Sequence, residues 1–173
     1  AKAGLYAAAA RRADAKSEYV TLRDDWAQAE ILSGESKSLF DEGSFIGRID
    51  DEKGKSPLNK LVTGGTVNSD IKEVLLRLWK QKEFGLEEAK AVEIVDAIID
   101  WMDDNEEITG MGAESSYYLS LSVPYAAKNA PLDCIEELLM VKGMTNELFG
   151  GTAKTPALAQ FLTIYGTGVI SVN

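Results

Sequence analysis

Apolar residues fall into two helical stripes in the middle of the chain and into short β-branched or aromatic runs on either side. Ile71, Val74, Leu75, Leu78 and Trp79 recur at i, i+3, i+4, i+7 and i+8, which predicts a helix capped by Asn68 or Ser69. Gly85 interrupts that period. Ala91, Ile94, Val95, Ile98 and Trp101 then form a second stripe, with Glu87, Glu93, Asp96 and Asp100 expected on its outer face. Further on, Asp133 and Glu136 stand as in a capping box ahead of Ile135, Leu138 and Leu139, and Gly143 supplies a stop. Thr155-Pro156 predicts a cap and first-turn proline for one more short helix.

The flanks differ from this helical block. Lys2 to Leu32 reads as a helix with a break near Ser17 to Asp24. Phe45, Ile46 and Ile49 lie between glycines and the polar run Asp50 to Pro57, which has the composition of a turn between two short strands. Pro57 confines the second of these to an edge or a strand end. The chain closes on the strand-like Phe161 to Asn173. Together these features predict an α+β fold. Strand-bearing segments 1–62 and 162–173 frame a helical insert at 63–161, with Phe45 to Ile49 and Val169 to Val172 in one small sheet. Ile71, Glu73, Val74 and Leu75 align with Ile135, Glu137, Leu138 and Leu139, an echo that any two amphipathic helices would give.

Charge changes the picture in one place. Residues 83–114 hold eleven acidic side chains against Lys90 alone, while the other 141 residues balance at 17 of each sign, so this segment accounts for the net charge of −10. Such a field repels phosphate backbones and anionic lipid and attracts cations or basic surfaces, and no basic patch argues for nucleic acid. At 173 residues and 45% hydrophobic content the chain can bury one real core. No apolar run reaches the ~18 residues of a membrane span, and no signal peptide is visible. The Ala-rich opening, which reads as the polar tail of a helix, and the strand-like close read as cut ends. With no His in the chain, Ser-His-Asp and Cys-His nucleophile systems and His-ligated metals are excluded, and Cys134 is alone, so no internal disulfide forms.

Within the acidic segment, Asp103, Asp104, Asn105, Glu106 and Glu107 supply the oxygens that a hard cation such as calcium takes. Gly110 and Gly112 let the backbone turn, and Glu114 can close the shell. The spacing is not that of an EF-hand, and a solvated acidic loop with Glu114 capping the next element fits the same composition. A glycosidase pair is disfavoured, because neighbouring acids on one exposed loop give no asymmetry across a cleft. Tyr117, Tyr118 and Tyr125, with Trp101, form an aromatic set suited either to a partner or to core and lid packing. Lys128 and Asn129 are assigned to the turn into Pro131, and Met111, Met140 and Met144 to gap filling.

Several separated stretches resemble one family in order. Tyr19-Val-Thr-Leu-Arg-Asp-Asp-Trp26-Ala is similar to the "Tyr-x-Ser-Leu-x-Glu-x-Trp-Ala" segment of minor pseudopilin K, the general secretion pathway protein K of type II secretion systems. Ile49 to Leu61 resembles its "Asp-Glu-x-Gly-Lys-Ile-Asn-Leu-Asn-x-Leu". Asp96-Ala-Ile-Ile-Asp-Trp-Met-Asp103, Gly112-Ala-Glu114, Tyr117-Tyr118, Pro124-Tyr125, Lys128-Asn129, Pro131-Leu132-Asp133, Val141-Lys-Gly-Met-Thr145, Phe161-Leu-Thr-Ile-Tyr-Gly166 and Ile170-Ser-Val-Asn173 complete the series. The resemblance implies a pilin-like scaffold carrying a large inserted all-helical domain. It also implies a non-enzymatic subunit at the tip of the periplasmic pseudopilus that supports protein export across the outer membrane. Minor pseudopilins I and J, the major pseudopilin filament and secreted substrate proteins are the implied partners. The implied location is the inner membrane, single-pass, with this domain in the periplasm and the membrane reached only through an N-terminal helix absent from this chain. That processed hydrophobic segment and a second helical module after Asn173 are both missing, so the sequence reads as a trimmed piece or an unusually short member. Some members bind calcium at a disulfide-supported loop, which places ligands at Asp103, Asp104 and Glu114, with Asn105 added from the loop's composition, although the paired cysteines are missing here. The rival is a helix-hairpin-helix module for DNA or protein at Leu138 to Thr145, where Lys142 sits among Glu136, Glu137 and Glu147.

Overall fold

Helix α1 (Ser69–Trp79) starts where the Asn68 side chain accepts hydrogen bonds from the amides of Asp70 and Ile71, at 3.1 and 3.2 Å, satisfying two donors the first turn leaves open. The structure is a computed structural model and describes residues 52–168, which fall in one compact unit. The expected N-terminal helix, the Phe45 to Ile49 strand and the Val169 to Val172 strand lie outside the described residues.

Ile71, Leu75 and Trp79 on α1 are buried, while Val74 lies at the margin of the stripe and is exposed. They pack on helix α2 (Glu88–Met102), whose predicted stripe of Ala91, Ile94, Val95, Ile98 and Trp101 is buried throughout. Each such aliphatic side chain contributes roughly 1.5–3 kcal/mol on burial. Leu58, Leu61, Leu138, Leu158 and Leu162 complete the same core, so residues before and after the helices share it. Phe84, in the 3-10 turn Lys82–Phe84, meets Phe161 edge-on at 5.5 Å and fastens the segment around Phe161 to the α1–α2 connection.

The expected outer face of α2 is corrected in part. Glu87 is exposed, but Asp96 and Asp100 are buried at 3% and 0% exposure. Segment 103–114 folds back over this side of the helix and supplies backbone amides to both carboxylates. A period of 3.6 registers the side chains of one helix and is blind to what later chain lays over them.

The strands are short. Strand β1 (Ser56–Pro57) pairs in parallel with β4 (Leu162–Thr163), and Pro57 ends its strand as its missing N–H requires. Strands β2 (Val62–Thr63) and β3 (Thr66–Val67) form a hairpin over Gly64 and Gly65, with φ +56° and +70°, the positive values a type I′ turn needs at both centres. The result is a mixed fold of helices and small sheets.

Three details differ from the sequence pattern. Residues Ile135–Met140 form a 3-10 helix, and its capping box is Cys134 with Glu137, one residue beyond the predicted Asp133 and Glu136. The Glu137 carboxylate accepts from the amides of Asp133 and Cys134 at 2.7 and 3.2 Å and is paired with Lys128 at 2.7 Å. Thr155-Pro156 starts no helix. Thr155 instead closes a turn with Thr152, and the 3-10 helix Leu158–Phe161 begins after Ala157. Two further short helices, α3 (Ser115–Tyr118) and α4 (Asn146–Gly150), come after the acidic loop and the Gly143 turn. Of the methionines assigned to gap filling, Met144 is buried, whereas Met111 and Met140 are exposed. Asn59 anchors the Pro131 turn by both ends of its amide, donating to the Leu132 carbonyl at 2.9 Å and accepting from its N–H at 2.8 Å.

Candidate functional site

Asp96, Asp100 and Asp103 lie four and three residues apart, on one side of α2 and at its end. The Asp96 carboxylate accepts from Lys72 Nζ at 2.7 Å and from the Met111 amide at 3.1 Å. The Asp100 carboxylate accepts from the Thr109 amide at 2.9 Å, and that of Asp103 from the Asn105 amide at 3.2 Å. These bonds lay the loop along the helix. The approach is so close that a Cβ on Gly110 would stand 2.3 Å from the Asp96 carboxylate, and one on Gly112 would stand 2.1 Å from that of Asp100. The two glycines therefore serve contact with the carboxylates as well as the turn.

Gly112 delivers Glu114 over the same ground. Carboxylate oxygens of Asp100, Asp103 and Glu114 lie within 4.8 Å of one another, and all three residues are buried. Among the described residues, Asp100 Oδ2 and both oxygens of Glu114 have no hydrogen-bond partner. A buried carboxylate without a partner is costly while ionised. Burial first, then the charges of Asp100, Asp103 and Glu106, push the Glu114 carboxyl up to about 7. Burial likewise raises Asp100 and Asp103, against the lowering effect of the amides they accept from. The donor set is all oxygen, which suits a hard cation. Calcium takes about six to eight oxygens, so the trio would supply part of a shell that carbonyls and solvent complete.

Of the four residues singled out from sequence, the fold brings Asp103 and Glu114 together and leaves Asp104 and Asn105 exposed. Asp104 lies beside the β2–β3 hairpin, 3.3 Å from where a Gly65 Cβ would be. Asn105 braces the loop itself, its side-chain oxygen accepting from the Glu107 amide at 2.6 Å. Sequence reasoning misses Asp100. Its position three residues before Asp103 on a predicted helix is a signal, but the helical period assigns it to the solvent side. Glu106, an oxygen donor by composition, caps α3 from a distance by accepting from the Ser115 amide and hydroxyl at 3.2 and 2.9 Å. Glu114 occupies the cap position yet makes no capping bond.

The surroundings brace this arrangement. Asn129, at φ +49°, donates its amide to the Trp101 carbonyl at 3.0 Å and its side chain to the Asn105 carbonyl and the Glu106 carboxylate. Trp101 meets Tyr118 and Tyr125 edge-on at 5.1 and 6.1 Å, and the two tyrosines stack at 5.3 Å. Trp101 and Tyr118 are buried, so the aromatic set is chiefly packing. Lys142 donates to the carbonyls of Met111 and Gly112 at 3.0 and 3.1 Å and lies 5.4 Å over the Tyr117 ring. The amides of Val141, Lys142 and Met144 all bond within the chain. In this turn Lys142 and those three amides are thus engaged with the protein itself. Among the described residues no helix is long and apolar enough to cross a membrane.

Residues 54–163 match the family described as type II secretion system (T2SS), protein K. The type II secretion system protein K of Aeromonas hydrophila is 30% identical over 144 residues, covering 78% of this chain and 41% of the relative. That of Pectobacterium carotovorum is 30% identical over 114 residues, covering 63% and 34%. The chain thus spans about two-fifths or less of the curated relatives it matches. A chain in the crystal structure of the GspK-GspI-GspJ complex from enterotoxigenic Escherichia coli shares the fold, with a TM-score of 0.55 at 22% identity over 83% of this chain and 53% of that one. A match running from before β1 to the end of β4, together with these relatives, makes the chain a member of the type II secretion system protein K family.

Proposed function

We propose that this chain is the globular part of a minor pseudopilin, acting without catalysis at the tip of the periplasmic pseudopilus with minor pseudopilins I and J. The observation that carries the reading is the match across residues 54–163, supported by a structural neighbour whose crystal is named for a complex with GspI and GspJ. In this reading the helices form a domain inserted at about 63–161 in a pilin-like scaffold. The longer protein is held in the inner membrane by a single N-terminal helix, stacks on the major pseudopilin filament and meets secreted proteins. Its contribution is shape, a bulky head on a filament that supports export. The test is a pull-down of pseudopilins I and J by this chain, alone and together, with heparin chromatography run beside it. Co-purification of a ternary complex and flow-through on heparin are expected. Retention on heparin at moderate salt without capture of I or J would favour the nucleic-acid reading instead.

Calcium belongs to this proposal. Asp100, Asp103 and Glu114 are the ligands the geometry favours, because their oxygens converge and several lack any other partner. Asn105 braces the loop around them by accepting from the Glu107 amide. The ion would neutralise the buried carboxylates and fix segment 103–114 to α2, giving the docking head a rigid surface.

A further inference from the structure

We propose that the ion pair between Lys72 on α1 and Asp96 on α2 is the positioning element that seats the 109–112 loop and so brings Glu114 onto Asp100 and Asp103. The metal arm of this proposal rests on the calcium reading above. Asp96 is 24 residues from Lys72 and 15 from Met111, yet its carboxylate engages both, one oxygen to the ammonium at 2.7 Å and the other to the Met111 amide at 3.1 Å. Its side chain is 5% exposed, and the Lys72 side chain 29%.

Asp96 is set apart from its neighbours by having a cation of its own. The chain supplies an ammonium to Asp96 and none to Asp100, Asp103 or Glu114 among the ion pairs of the described residues. An acidic stripe of four carboxylates is thereby divided into one that is neutralised from within and three that are not. The neutralised member is the one whose second oxygen holds the loop. A carboxylate paired with an ammonium is fixed in orientation, which keeps its free oxygen aimed at the Met111 N–H. Gly110 permits the approach, and Gly112 continues it against Asp100. From Met111 to Glu114 the chain has only Gly112 and Ala113, so seating Met111 limits where Glu114 can go. Without the Lys72 charge, Asp96 would be a buried carboxylate with no cation, free to turn its oxygens away from the Met111 N–H. Lys72 and Asp96 thus act on the candidate ligands through the backbone, as outer partners act on ligating groups elsewhere.

The experiment combines amide hydrogen exchange in chelator with calorimetric titration of calcium chloride, on the wild-type chain and on Lys72→Met, Lys72→Gln and Lys72→Arg. In Lys72→Met and Lys72→Gln, protection of the Met111 amide should fall on the order of tenfold. The amides of Leu75 and Ile98 should keep theirs. The calcium Kd should rise about 10- to 100-fold. Lys72→Arg should retain both properties. Unchanged Met111 protection with an intact core overturns the proposal, and so does an equal loss at Leu75 and Ile98, which marks a merely structural pair. No calcium heat in the wild-type chain sinks the calcium reading, and the Met111 amide then decides the positioning role by itself.

Discussion

Glu114 carries the largest consequence of any single residue. Its carboxyl is buried, has no donor among the described residues and is pushed up to about 7 from the ordinary glutamate value of 4.5. The folded state therefore holds this proton more tightly than the unfolded chain does. The metal-free protein is most favoured, as far as Glu114 is concerned, below about pH 4.5, and it loses that stability as pH rises to about 7. The loss amounts to about 3 kcal/mol at most, at about 1.36 kcal/mol per unit. Glu114→Gln removes the charge while keeping the shape. Thermal melting in chelator at about pH 8 should show the variant more stable than wild type, with the difference vanishing near pH 4.5. Millimolar calcium should raise the wild-type Tm at the same alkaline pH and leave Glu114→Gln nearly unmoved. Coincident wild-type curves in chelator, calcium and magnesium would mark the trio as a solvated acidic pocket. The sequence disclosed Asp103 and Glu114 because acidic density and glycine pointed to that loop. It concealed Asp100 because a helical period alone assigns an aspartate to solvent.

Among the elements, α1 shows why some boundaries can be read directly. Asn68 is a short acceptor before a clean stripe, and its side chain takes the bonds that such a residue takes at this position. Asn68→Ala should cost about 1 kcal/mol, read as a lower midpoint in urea unfolding. The 3-10 helix at Ile135–Met140 is harder to read. Asp133-Cys134-Ile135-Glu136-Glu137 offers two overlapping boxes, and only packing decides between them. Lys128 settles it by drawing in Glu137 with a 2.7 Å contact while Glu136 stays exposed. The β2–β3 hairpin is hidden in the sequence because two residues on each side of Gly64-Gly65 are too few to show an alternating period.

For the whole molecule, the acidic concentration at 83–114 is less of an external field than its composition implied. Asp96, Asp100, Asp103 and Glu114 are turned inward, and the exposed remainder includes Glu83, Glu87, Asp104 and Glu107. Lys142 is engaged within the protein, and the remaining surface acids still repel phosphate. A mixture of helices and small sheets was legible because the change of period near Asn68 is sharp. What remained hidden was the depth at which Leu58, Leu61 and Leu162 enter the helical core, since long-range packing leaves no mark in local pattern.

The parallel pairing of Ser56–Pro57 with Leu162–Thr163 determines how this unit bears load. Tension entering before β1 and leaving after β4 pulls two parallel strands in opposite directions along their length. It meets their ladder in shear, so the bonds must yield together and not one after another. The helices and the acidic loop lie off that path. In optical tweezers, with Cys134→Ser and handles at Glu52 and Gly168, rupture should require more force than with handles at Lys80 and Gly168, which bypass β1. Equal forces would count against a shear-loaded ladder. A unit loaded this way carries the tension through its ladder and leaves its carboxylate pocket unstrained.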